Sequence, residues 1–364
     1  MDLGKGKSRM SARKKAAIAA SILLVLLLTA LVVCYSLFSH YYSKLNHREL
    51  SRNYKIVSEI DLEEDDTEGE DSPKEDITDL EEYMNNNLAA DTESLKFNDK
   101  NVRNILLIGT DNRSRDRSES RSDTIIIISI NSKTHKIFMT SVMRDTYVTI
   151  PKVGGDRINA AYAYGGEELL LDTIDANFKI PIYEYATVDF YGFMEVVDAI
   201  GGVDMDVTED EIKVMQGYIY ELNELEKASP KTDMVYASDA GKMHLNGKQA
   251  LAFSRVRYVG NADFERTERQ RRVLTAIFNK AKGMSLSELS DLADVLLPKI
   301  TTNLAQGDVL SLLMNSGEYL NYEVVSCRMP IDDSYKYMRV RGMSVLRVDF
   351  TENRNYWFKA VYSK

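Results

Sequence analysis

An α/β layered domain with a mainly parallel or mixed sheet is the fold class this sequence predicts, on three observations. Asn104–Gly109 and Thr124–Ile130 are short unbroken apolar runs, the pattern of central strands buried on both faces. Beyond them, segments of helical period alternate with strand-like ones, as a layered α/β domain requires. Only two cysteines occur, Cys34 and Cys327. One lies in an apolar run and the other far away, so a full hydrophobic core must hold the domain together without disulfides.

In chain order, residues 1–15 form a basic tail with Lys5, Lys7, Arg9, Arg13, Lys14 and Lys15. Residues 16–38 then run for 23 residues without a charge. As a helix they reach about 34 Å, enough to cross a hydrocarbon core of about 30 Å. The basic flank keeps the N-terminus cytoplasmic and sends the rest of the chain outside. A cleaved signal peptide has a shorter apolar core, about 7–15 residues, ending in a small-x-small site. This run instead meets Phe38, His40, Tyr41 and Tyr42, an interfacial aromatic anchor, so an uncleaved transmembrane helix is expected.

Residues 39–100 read as a juxtamembrane and acidic linker. Between 59 and 82 stand fourteen Asp/Glu against the single Lys74, so the net charge of −10 is concentrated there. Such a run, poor in apolar residues, is expected as a disordered spacer. The extracytoplasmic globular domain is expected over 101–364. Lys136–Val142 predicts a third strand and Tyr183–Asp189 a fourth. Glu168–Phe178, Phe190–Ile200 and 209–227 read as helices, as do 286–298, 307–316 and Asn353–Tyr362.

The chemistry concentrates in residues 250–272. Leu251, Phe253, Arg255 and Arg257 alternate with Ala252, Ser254 and Val256, which predicts a strand with both arginines on one face, roughly 6–7 Å apart. Asp263 follows a Gly-Asn turn signal and is expected as a helix N-cap. On that helix Arg266, Arg269, Gln270 and Val273 share a face, whereas Arg271 and Arg272 point off it and are expected to be silent on substitution. Two strand arginines beside an arginine-bearing helix start make a cradle for a multiply charged phosphate. A solvated basic helix face is the bland alternative.

Asp111 sits just past the first strand and Asp123 just before the second. If those strands are neighbours, two carboxylates meet at one sheet edge, the hard-oxygen set that magnesium shares with phosphate. Taken singly, each aspartate is also an ordinary turn or cap residue. Arg144 directly follows the third strand, at the edge where open α/β sheets place ligands. An ion pair with Asp145 is its structural alternative. No Gly-x-x-x-x-Gly-Lys-Ser/Thr loop, Gly-x-Gly-x-x-Gly or Gly-x-Ser-x-Gly elbow occurs, and the four histidines are scattered, against a histidine zinc site.

In order along the chain, Asn104–Asp111, Ser122-Asp-Thr124, Met143-Arg-Asp-Thr-Tyr-Val148, Arg157-Ile-Asn-Ala-Ala-Tyr-Ala163, Val197–Val203, His244–Leu251 and the arginine block resemble the LytR-CpsA-Psr family. The resemblance covers about residues 100–285. It implies an α/β/α sandwich with a lipid-binding pocket and a phosphotransferase that moves a glycopolymer from a polyprenyl-pyrophosphate carrier onto peptidoglycan, in a Gram-positive-type envelope. The family's metal-associated aspartates match Asp111 and Asp123, implying Mg2+ (or Mn2+). Its pyrophosphate-binding arginines match Arg144, Arg255, Arg257 and Arg266, with Asp263 and Gln270 at adjoining polar positions and Arg269 in pattern. Arg113 and Arg121 lie in the loop between the aspartates, within reach of phosphate. The family's usual Pro-Arg-Asp reads Met143-Arg144-Asp145 here, a change in backbone rigidity and not in charge.

Asp111 or Asp263 is expected to take the acceptor proton, and the residues alone do not choose between them. A lipid-pyrophosphate hydrolase, or a non-enzymatic membrane regulator, would carry the same cluster. The tail of about 15 residues is too short for a DNA-binding domain, so no nucleic-acid partner is expected, only the lipid-linked glycopolymer, peptidoglycan and membrane lipid.

Overall fold

A computed structural model of the protein describes residues 35–36, 38–51, 56–57, 77–89, 99–111, 121–257, 259–260 and 262–363. Leu45–Lys364 forms one unit and Met1–Lys44 another. The expected tail, most of the expected membrane span (35, 36 and 38 excepted), most of the acidic run and Arg113 lie outside the described residues. Among the described residues, no helix is long and apolar enough to cross a membrane.

The larger unit begins with β1 (Asn46–His47) and α1 (Ile77–Ala89), followed by the strands β2 (Val102–Thr110), β3 (Ser122–Asn131) and β4 (Lys136–Val142). A hairpin, β5 (Tyr147–Ile150) and β6 (Gly154–Arg157), leads into α2 (Ala160–Phe178), β7 (Glu184–Asp189) and α3 (Phe190–Ala199). Next come β8 (Val203–Val207), α4 (Glu209–Leu225), β9 (Gly241–Leu245), α5 (Gly247–Arg255), α6 (Ala262–Ala281) and α7 (Leu286–Leu296). The chain closes with β10 (Thr301–Thr302), α8 (Gln306–Met314), α9 (Ser316–Tyr319), β11 (Glu323–Met329), β12 (Tyr335–Val340), β13 (Met343–Val348) and α10 (Phe350–Tyr362).

The central sheet has seven strands in the order β1-β10-β7-β2-β3-β4-β11. It is mixed: β2–β3 and β3–β4 are antiparallel, whereas β7 and β11 join β2 and β4 in parallel. The apolar runs read as buried strands are its centre. Ile125 and Ile127 face one core with Leu106, Ile108, Leu170, Ile174 and the fully buried Trp357. Ile128 and Ile130 face the other side, against Phe278 of α6. A second core joins α3, α4, α5 and α6 around Val197, Ile212, Ile219, Phe253 and Val273.

Two expectations are corrected. The end of the acidic stretch is not a spacer: α1 spans 77–89, with Leu80 at 0% and Met84 at 3% exposure in the main core. Those two residues, four apart, give the acidic helix one apolar stripe, and Tyr83 Oη donates to the Val348 carbonyl at 2.8 Å. Leu80→Ala is therefore expected to cost about 2–5 kcal/mol, read as the shift in a denaturant midpoint. An unchanged midpoint would return α1 to linker status.

The second correction concerns residues 251–257, expected as a strand. They lie in and just beyond α5, a helix opened by a capping box: Asn246 Oδ1 accepts from Gln249 N at 2.9 Å and Gln249 Oε1 accepts from Asn246 N at 3.1 Å. Ala250, Leu251, Ala252, Phe253 and Ser254 are all buried. A helix covered all round shows no 3.6-residue stripe, so its alternation of large and small residues passed for a strand. Gly247 fixes the contact below: a Cβ there would lie 2.2 Å from the Met194 carbonyl oxygen.

Candidate active site

The antiparallel β2–β3 hairpin pairs Thr110 with Ser122. Asp111, just beyond β2, and Asp123, second in β3, therefore emerge at the same sheet edge, as the sequence requires for a shared site. Arg144 follows β4 at that edge. Its Nη1 donates to Asp123 Oδ1 at 3.0 Å, and its Nε lies 3.4 Å from Asp145 Oδ2 and 3.8 Å from Asp263 Oδ1. Backbone bonds hold this segment on two sides: Leu346 N of β13 donates to the Asp145 carbonyl at 2.8 Å, and Ile158 N to the Thr146 carbonyl at 2.9 Å.

From the other side α6 brings Asp263 and Arg266, and the loop before it brings Arg257. Asp263 Oδ1 lies 3.2 Å from Arg266 Nη2 and 3.8 Å from Arg257 Nε. Asp263 is the second helical residue and not the expected N-cap. Its carboxylate serves the cluster. Arg157, at the end of β6, adds a further guanidinium with Nη1 3.5 Å from Asp145 Oδ1.

Arginines and aspartates face one another at close range here, and burial sharpens their effect on one another. Burial works against the charge on Asp123, yet Arg144, Arg266 and Arg257 hold its carboxyl well below the usual carboxylate range. Asp263 is likewise held down against burial by Arg266 and Arg144. Asp145 goes the other way: burial pushes it up against the pull of Arg144, and its hydrogen bond with Asp263 helps it keep a proton. Burial, then repulsion from Arg144, pulls Arg266 down to about 10, still protonated at neutral pH. Arg121 is lowered by burial and by the facing charge of Arg157.

The cluster leaves donors unused. Arg266 is 2% exposed, yet its Nε has no hydrogen-bond partner among the described residues, and neither has Arg157 Nε; Arg266 Nη2 has only the ion pair with Asp263 at 3.2 Å. Buried polar groups are normally satisfied, and each exception calls for a reason. Several guanidinium donors facing one another at a sheet edge are what an anion with many oxygens would satisfy.

Not every expected residue joins this group. Arg255 does not share a strand face with Arg257. Its guanidinium lies 5.1 Å from the Phe190 ring and 4.5 Å from that of Tyr218, with Glu221 at 3.2 Å. Arg269 is 2% exposed and bound by protein throughout: Nε donates to Glu211 at 2.7 Å, Nη2 to Glu265 at 2.9 Å and to the Val259 carbonyl, and Nη1 to the Val256 carbonyl. It holds the loop that carries Arg257. Gln270 is buried beside it in sequence.

Arg271, expected to point off the ligand-binding helix face and to be nearly silent, is 6% exposed, with Nη1 donating to Ser141 Oγ of β4 at 2.7 Å and Nε to Ser326 Oγ of β11. Its substitution is not expected to be silent. Arg157 and Asp145 are the members to which sequence reading gave no role in the site. The Pro151-Lys152-Val153 turn, with Gly154-Gly155 directly after it, was the signal for the hairpin that places Arg157.

The family model for LytR_cpsA_psr matches residues 65–359. The chain belongs to the LytR_cpsA_psr family. Among its relatives is a protein of Oceanobacillus iheyensis named as a polyisoprenyl-teichoic acid–peptidoglycan teichoic acid transferase, TagU, 35% identical over 227 residues. That alignment takes in 60% of this chain and 64% of the relative, so the chain spans somewhat under two thirds of the relative's length. Solved members share the fold. Bacillus subtilis TagT has a TM-score of 0.56 at 24% identity, over 74% of this chain and 95% of that one. TagT with bound octaprenyl pyrophosphate lipid has a TM-score of 0.55 at 22% identity, over 87% of this chain and 100% of that one.

Proposed function

We propose that this LytR_cpsA_psr protein moves a glycopolymer of teichoic-acid or capsular type from a polyprenyl-pyrophosphate carrier onto peptidoglycan, at the outer face of a membrane in which residues 16–38 anchor it. The observation that carries this reading is that Arg266 Nε and Arg157 Nε, both buried, have no hydrogen-bond acceptor among the described residues. A pyrophosphate supplies those acceptors. The TagU relative's name points to the same transfer.

In this reading Arg144, Arg157, Arg257 and Arg266 bind the two phosphoryl groups and disperse the charge that grows on their oxygens, the main task in phosphoryl transfer. An acceptor hydroxyl oxygen bonds to the sugar-proximal phosphorus, the bond from that phosphorus to the bridging oxygen breaks, and polyprenyl phosphate leaves. Asp263 is a poor candidate for the hydroxyl proton, because the arginines depress it far below the range useful to a base at neutral pH. It arranges the arginines, and Asp111 takes the proton.

Asp111 and Asp123 suit a magnesium or manganese ion: they are hard oxygen donors brought to one edge by the Thr110–Ser122 pairing. No group of three or more ligating side chains occurs among the described residues, so phosphate and water oxygens would complete the shell, as is usual for Mg2+. Such an ion, when bound, neutralises phosphoryl charge.

The test is transfer of a lipid-pyrophosphate-linked saccharide to peptidoglycan by the purified full chain in detergent. Saccharide covalently attached to glycan is the expected product. Release of free saccharide phosphate would make the protein a hydrolase, and no turnover with intact lipid binding would favour a regulator.

A further inference from the structure

The β12–β13 hairpin lies C-terminal to all the residues assigned to pyrophosphate, yet it is tied to them. The Leu346 N–H bond to the Asp145 carbonyl fixes it beside Arg144, and Tyr337 pairs with Leu346 across the hairpin. Tyr335 and Tyr337, two apart on β12, share one face. Their rings are 5.7 Å apart and nearly perpendicular. On the inner side Tyr335 lies 5.0 Å from Phe264, the residue directly after Asp263. The Arg328 guanidinium lies 4.2 Å from the centroid of the same Phe264 ring. On the outer side Tyr337 is 46% exposed, and Arg339 continues the same face.

We propose that Tyr335 and Tyr337, backed by the buried Phe264, form the subsite that receives the acceptor saccharide chain and leads its hydroxyl to the phosphorus. The inference rests on the transfer reading above and deepens it. A pyranose has a flat C–H face and a rim of hydroxyls, and a tyrosine offers a matching flat ring with a polar tip. Arginine donors at both ends add hydrogen-bonding groups. The exposed border of the hairpin is charged: Asp332 and Asp333 precede Tyr335 in sequence, and Lys336 lies on the opposite face of β12. That border suits a hydrated polysaccharide and disfavours burial in lipid. Continuity with the phosphate cluster decides for the acceptor, because the ladder begins one residue from Asp263 and ends in solvent.

The experiment compares wild type, Tyr337→Ala and Tyr337→Phe as full chains in detergent, with soluble uncrosslinked peptidoglycan strands as the varied acceptor. Tyr337→Ala is expected to raise the acceptor KM about tenfold, equivalent to about 1.4 kcal/mol, with the KM for the lipid-linked donor and the melting temperature unchanged. Tyr337→Phe keeps the ring and stays close to wild type. Co-sedimentation with insoluble peptidoglycan, without donor, should fall in parallel for Tyr337→Ala. An unchanged acceptor KM and unchanged co-sedimentation overturn the subsite. Loss of binding to glycan-free anionic vesicles in place of peptidoglycan also overturns it, in favour of a membrane contact. If wild type itself passes no saccharide to peptidoglycan, the transfer reading fails, and co-sedimentation still decides the glycan subsite on its own.

Discussion

Arg144→Ala should abolish transfer more thoroughly than any other single substitution in the cluster. The side chain makes a 3.0 Å bond to Asp123 and lies within 3.8 Å of both Asp145 and Asp263. Charge-assisted contacts of this kind are each worth about 1.5–3 kcal/mol, so loss of one phosphate contact alone predicts a fall of roughly 10- to 150-fold in kcat/KM. The real loss should exceed that, because Asp123 and Asp263 would face an incoming anion with one fewer cation between them.

The pH dependence of stability gives an independent readout. Arg144 depresses both aspartates in the folded state. A depressed carboxylate contributes stability that is present above its unfolded value near 4 and is lost as pH falls toward the folded value. Arg144→Ala raises the folded values toward the unfolded ones, so the variant should lose less stability than wild type below about pH 4. Arg144→Lys keeps a charge without the planar fork and should recover the acid profile better than the activity. Wild-type transfer in Arg144→Ala, with a stable fold, would remove Arg144 from the site.

Why some of this was legible in the residues and some was not follows from what each signal measures. Ile125–Ile130 could be read because a strand buried on both faces leaves a continuous apolar run that few other elements produce. Asp111 and Asp123 could be read because strand ends are set by that same run. Arg255 misled, because α5 is covered on every side and its helical period was invisible. Asp145 and Arg157 were missed for another reason: the β5–β6 hairpin, which pairs Tyr147 with Arg157, brings them together, and a hairpin of two four-residue strands leaves little periodic trace. The same holds for the β12–β13 hairpin, whose strands carry a clear pattern only once their buried partners are known. Leu80 and Met84 were hidden by composition, since they stand where an acidic run meets a polar Asn85-Asn86-Asn87 stretch and register only when found four apart and buried.

Arg266 shows how an unsatisfied group and a perturbed charge describe one fact. Its folded value of about 10 lies below the ordinary arginine range. For a cation that sign means the charged form costs stability at every pH below about 10, and the cost is relieved only as pH rises through that value. An anion beside it relieves the same cost at neutral pH. The site is thus held in a state that binding improves.

The largest stability effect among the arginines should come from Arg269→Ala, a substitution that removes no phosphate contact at all. Arg269 and Glu211 are both nearly buried, with side-chain exposures of 3% and 6%. Truncating the arginine leaves the Glu211 carboxylate uncompensated, a loss of about 3–5 kcal/mol for a broken buried pair, and orphans the Val256 and Val259 carbonyls that its other nitrogens serve. Replacing both partners by neutral groups should be far milder, because no buried charge is then stranded. Glu211→Gln is the suitable partner change, since it keeps the side-chain oxygen that caps Thr208 N at 2.8 Å. The double variant Arg269→Met with Glu211→Gln is therefore expected to regain most of the stability lost in Arg269→Ala, measured as denaturant midpoints of full chains at one pH. Its activity should stay reduced through a raised KM for the lipid-linked donor, because the loop holding Arg257 has lost its anchor. Full stability in Arg269→Ala combined with lost donor binding would reverse the assignment and make Arg269 a direct ligand of the pyrophosphate.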